Sequence, residues 1–136
     1  MNNILRNVLA VFAGLILGGF VNMALIMIGG SLIPPPAGVD VTDLESVKAS
    51  IHLFEAKHFV FPFLAHAGGT LVGAIVTSMI AASGRMWLVL IIGAFGLLGG
   101  IMAALMIPTP TWFLLLDLIM AYITMAWLGW KLSRRL

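Results

Sequence analysis

The chain contains no cysteine. Disulfides, thiolate metal sites, iron–sulfur clusters and cysteine nucleophiles are thereby excluded. Charge is almost as scarce. Seven Lys/Arg and five Asp/Glu residues make up 9% of 136 residues, against about 25% in an ordinary soluble domain. So few charges cannot cover a water-facing surface, which excludes a soluble monomer and a disordered or coiled-coil chain. The formal charge of +2 is small and scattered, so nucleic acid is not an expected partner. No Asn-x-Ser/Thr acceptor occurs to mark a glycosylated face.

What is present is apolar. Hydrophobic residues are 62% of the chain and mean hydropathy is +1.15. A membrane span needs about 20 such residues. Four windows qualify, at roughly 8–33, 59–82, 87–107 and 112–130. The first apolar run exceeds the ~7–15 residues of a signal-peptide core and has no A-x-A site after it, so it reads as a retained helix. Pro34-Pro35-Pro36, Ser83-Gly84-Arg85 and Pro108-Thr109-Pro110 punctuate the spans, because the residue before a proline is pushed out of the α region. The expected fold is an all-α polytopic membrane protein, one integral membrane domain over 1–136 built as a four-helix bundle.

Basic residues orient it. Arg6, Arg85, Lys131, Arg134 and Arg135 fall on one side, and Lys48 and Lys57 on the other among Asp40, Asp43, Glu45 and Glu55. This predicts cytoplasmic termini and an outer 34–58 loop, in what is expected to be a bacterial inner membrane. Trp87, Trp112, Trp127 and Trp130 lie at predicted helix ends, where interfacial anchors belong. Within the loop, Thr42-x-x-Glu45 fits a capping box. Leu44, Val47, Ile51, Phe54 and His58 then recur at helical steps. A short amphipathic helix over about 42–57 is expected, lying at the interface or capping the bundle.

Leu17-Gly18-Gly19 recurs as Leu98-Gly99-Gly100, and Ile33-Pro34-Pro35-Pro36 as Ile107-Pro108-Thr109-Pro110. Both pairs lie on spans one and three, as in a parallel repeat of two helix hairpins, though their offsets differ. Gly14-x-x-x-Gly18, Gly69-x-x-x-Gly73 and Gly96-x-x-x-Gly100 present small residues for close helix packing, and Gly93 extends the stripe on span three. Span three is therefore expected at the centre. The same faces suit a homo-oligomer or a larger membrane complex.

Polar side chains in hydrocarbon usually face the bundle interior. Asn22, His66 and Asp117 stand out, and Asp117 is the one charge inside a span. At ~1.5 Å per residue, His66 lies roughly 10 Å and Asp117 roughly 9 Å below the outer helix ends. With Asn22 they form one layer in the outer leaflet. His66 is the natural partner for the carboxylate, and Thr70, one turn below, extends the set. The layer serves either to lock helix register or to bind a polar ligand or proton. A second cluster, His52-x-x-Glu55-x-x-His58, occupies one predicted helix face. It is a strained candidate for a single metal, and the further carboxylates of a di-metal site are absent.

A non-enzymatic binding or assembly subunit is the leading expectation, with the lipid bilayer as its first partner. Proton-linked or polar-solute transport by an oligomer is the alternative. A redox or acid–base enzyme using His66 and Asp117 comes third, since a haem would need a second buried histidine from another copy and no nucleophile lies nearby. No cofactor is expected.

Overall fold

The computed structural model describes residues 1–136. It contains helices and turns and no strand. Helix α1 spans Asn3–Leu32, α2 Leu44–Ser50, α3 Val60–Ile80, α4 Arg85–Met106, α5 Thr111–Met120 and α6 Ile123–Ser133. Four helical segments are long and apolar enough to cross a membrane: Asn3–Leu32, Ala56–Ile80, Arg85–Met106 and Thr111–Ser133. The last is the pair α5 and α6, broken at Ala121-Tyr122.

The proline exits act alike. Helix α1 closes with the Ile33 amide donating to the Gly29 carbonyl at 2.8 Å, and α4 with Ile107 donating to Ala103 at 2.8 Å. Pro62 sits in the first turn of α3, where its missing N–H has no helical partner to lose.

The centre of the bundle is α3, not the glycine-striped span three (α4) that the sequence suggested. Helix α3 packs against α1, α4 and α6, and Ala65, Ala67, Gly69, Thr70, Gly73, Ala74, Thr77 and Ser78 are buried along it. Its small residues lie on several faces, so neighbours approach from more than one side. Towards α1, a Cβ placed on Gly18 would lie 2.5 Å from the Gly69 carbonyl oxygen, and one on Gly73 would lie 2.8 Å from that of Gly14. Lipid is as apolar as leucine, so dispersion across this close seam holds the pair. Towards α6, a Cβ on Gly129 would lie 2.8 Å from the Ala74 methyl. Thr77 adds a buried hydrogen bond to the Ala10 carbonyl at 3.2 Å.

One end of the bundle is fixed by α1. The Arg6 guanidinium donates to the Ile80 carbonyl at 2.6 Å, and the Asn7 side chain accepts from the Ala82 amide at 2.9 Å. These contacts satisfy backbone groups that the end of α3 leaves open. Gly84, at φ +61°, turns the chain into α4. Ser133 donates to Ser78 at 2.7 Å and brings the end of α6 to the same place. All five basic residues of the predicted cytoplasmic set therefore gather at this end.

The opposite loop differs in detail from the expected single helix over 42–57. Helix α2 ends at Ser50 and is followed by 3₁₀ turns at Ile51–Leu53 and Ala56–Phe59. The N-cap is Asp43, which accepts from the Glu45 and Ser46 amides at 3.2 and 3.3 Å, and not Thr42. Thr42 is engaged by Asp40 instead. Its hydroxyl and its amide donate to the Asp40 carboxylate at 2.6 and 2.9 Å, which lowers that carboxyl's pKa below its usual value. Reciprocal capping occurs later: Glu55 and His58 bond each other's backbone, with the Glu55 amide donating to His58 Nδ1 at 2.8 Å. The loop spends its polar side chains on its own turns.

Candidate functional site

Asp117 and His66 meet across the bundle. Asp117 lies two turns into α5 and is buried, its side chain 6% exposed. His66 lies two turns into α3, its side chain 27% exposed. His66 Nδ1 stands 2.9 and 3.0 Å from the two carboxylate oxygens. The Tyr122 hydroxyl donates to Asp117 Oδ2 at 3.0 Å, and its ring stacks on the imidazole with centroids 5.7 Å apart.

Sequence reasoning missed Tyr122 as a third member. On a straight helix, five residues turn about 140° away, at about 100° per residue. The break between α5 and α6 cancels that angle. Tyr122 has φ −116° and ψ −86°, outside the helical region, and the Thr124 hydroxyl takes up the Ile119 carbonyl at 2.7 Å. Space for the ring comes from α4, because a Cβ on Gly96 or Gly100 would lie 2.8 or 2.7 Å from Tyr122 ring carbons. Gly93 similarly admits Ala126, at 2.8 Å from its absent Cβ. Tyr122 is the only tyrosine in the chain. That, and the glycine stripe read as a helix-packing face, are the signals that could have found it.

The chemistry of the triad is directional. A carboxylate is an acceptor, and Asp117 accepts from Tyr122. With a neutral imidazole, the Nδ1 proton goes to Asp117 and Nε2 keeps a lone pair. Nε2 has no hydrogen-bond partner in the chain, and no buried side-chain nitrogen or oxygen lacks one. Nε2 is therefore accessible and, on a neutral ring, an oriented acceptor.

His66 borders two cavities. A groove of about 360 Å³ lies between α1, α3 and α4, and Asn22, Thr70 and Tyr122 also line it. A vestibule of about 220 Å³ lies under the α2 loop, lined by Val47, Ile51, Phe54 and His58 together with Asp117. The half-buried loop side chains that share a helical spacing thus face one space, although the helix itself is interrupted. Asn22 and Thr70 share the groove with His66 without bonding to the His66–Asp117 pair. Asn22 packs near Gly69, 3.0 Å from where its Cβ would be.

The second predicted cluster does not assemble. The backbone leaves the helix at Phe54, so His52, Glu55 and His58 no longer share a face. Glu55 turns to Lys57 at 3.7 Å, and no group of three His or acidic side chains is positioned to hold a metal ion.

No protein-family model matches the chain, and neither a curated protein nor a solved structure is significantly similar to it. Function must be argued from the geometry.

Proposed function

We infer that this is a non-enzymatic membrane binding protein that takes a polar or amphipathic ligand at His66, backed by Asp117 and Tyr122. The observation that carries this reading is the accessible, unpartnered Nε2 of a histidine whose Nδ1 is held by a buried carboxylate. A pair built only to lock two helices needs no cavity on its free side. The Lys/Arg distribution supports an N-in, C-in orientation. The vestibule then opens to the outside, with the α2 loop as its cover and α2 lying at the outer interface. The like-ending α1 and α4 support two related helix hairpins.

The test is retention of small molecules. Protein extracted in mild detergent is examined by native mass spectrometry beside His66→Ala and Asp117→Asn. Wild type is expected to carry a bound molecule that both variants lose while their thermal unfolding stays cooperative. Variants that unfold, or folded variants that keep the same adduct, would return the triad to a structural role.

A second reading, proton-linked transport, is favoured by the break at Tyr122. Interrupted helices beside ionisable groups recur where transporters bind substrate and ions. Vesicles loaded with a pH-sensitive dye would acidify through wild type and not through His66→Ala.

A further inference from the structure

The groove between α1 and α4 is more specific than a gap. Its floor is α3. From Gly14 to Asn22 it extends about 12 Å, at ~1.5 Å per residue. Its polar groups gather at the outer end, as Asn22 and His66, with Thr70 one turn further in. Leu15 and Ile92 line the inner part. Thr70 is 7% exposed. Its hydroxyl has no hydrogen-bond partner in the chain, and it lies 3.3 Å from where a Cβ on Gly96 would stand, so it faces the wall opposite. Since no polar side-chain atom is both buried and unpaired, this oxygen is accessible, as is His66 Nε2. Two residues with unpartnered polar atoms therefore border the same space.

We propose that this groove binds one uncharged lipid carrying a hydroxyl on its head, with the hydroxyl at His66 Nε2 and the apolar body directed inward along the glycine wall. This rests on the His66-centred binding reading above and names its ligand class. The donor and acceptor pattern selects the head. On a neutral imidazole Nε2 accepts, so the ligand donates. Thr70 and Asn22 line the same groove and each carries a donor. Charge selects against the commoner lipids. No Lys, Arg, Asp or Glu lines the groove, and burying a phosphate or carboxylate without a counter-charge is costly. The volume suits a single ring or chain. An aliphatic alcohol and the phenolic hydroxyl of a quinol share this chemistry, and the probes below separate them.

Monooleoylglycerol and decylubiquinol are titrated into the purified full-length protein in detergent, with dioleoylphosphatidylglycerol as the charged comparison, and adducts are counted by native mass spectrometry. One adduct per chain is expected with at least one hydroxyl probe, and which probe binds identifies the source. Gly99→Leu is the decisive variant. Gly99 lines the groove, and a Cβ there meets nothing within 4 Å, so leucine fills space without wedging helices apart. Binding is expected to fall about tenfold or more, and similarly in His66→Ala. Binding by Gly99→Leu equal to wild type would overturn the groove assignment, as would tighter binding of the phospholipid or no binding of either hydroxyl probe. If His66→Ala alone loses its native adduct while Gly99→Leu keeps it, the ligand occupies the outer vestibule. The groove assignment then fails and the broader reading stands.

Discussion

Asp117 accepts from two donors, and the two can be removed one at a time. Tyr122→Phe deletes the bond to Oδ2 and leaves the imidazole contact. Hydrogen bonds between membrane helices average about 0.6 kcal/mol and reach ~1–2, so a thermal-shift loss of that size is expected, with the adduct retained. Asp117→Asn is nearly isosteric but changes the chemistry, because an amide can either donate or accept. Its expected signature is loss of the single His66 tautomer, read from ¹⁵N chemical shifts of the imidazole. A histidine that keeps its proton wholly on Nδ1 in that variant would show that the carboxylate does not set the tautomer. The pairing of His66 with Asp117 was legible in the sequence, because the depth of each residue follows from counting along its own span. Tyr122 was not, because its position depends on a break that no proline or glycine announces.

At the level of elements, glycine spacing announced close packing but not who packs with whom. Gly14, Gly18, Gly69 and Gly73 form the α1–α3 seam, whereas Gly96 and Gly100 make room for an aromatic ring. The same pattern thus serves a backbone contact in one place and a side-chain contact in another, which is why α4 looked central and α3 is. Gly18→Val tests the seam. Its Cβ would meet the Gly69 carbonyl at 2.5 Å, and backbone yields less readily than a side chain. Overpacking of this kind costs about 1–3 kcal/mol. The variant should melt earlier, while Gly19→Val one position on, which meets nothing, should melt like wild type. Equal melting of the two would mean that the seam is not tight. The outer loop shows the complementary limit. Its apolar spacing grouped Leu44, Val47, Ile51, Phe54 and His58, of which all but Leu44 line the vestibule, but local bonds from Asp43, Glu55 and His58 chose the turns. Such side-chain competition is invisible to periodicity.

Across the whole molecule, the four apolar segments were readable from hydropathy and proline exits, and the basic end of the bundle from the positions of Lys and Arg. The absence of cysteine makes orientation directly testable, because a single introduced thiol has no background. Ala49→Cys in the acidic loop should react with a membrane-impermeant maleimide on intact cells. Ser83→Cys at the basic end should react only after permeabilisation. The reverse pattern would invert the topology and place the vestibule on the inside.

The separation of His66 and Asp117 by 51 residues has a consequence for biogenesis. A ribosome delivers α1 and α3 first, and their seam, together with the Arg6 and Asn7 contacts, can form as soon as both are in place. His66 is delivered with that hairpin but without its acid, which arrives only with the fourth apolar segment. Until then the imidazole has no carboxylate partner. Closure of the triad thus waits for the fourth apolar segment, and a chain interrupted before Trp112 would keep His66 without its carboxylate partner.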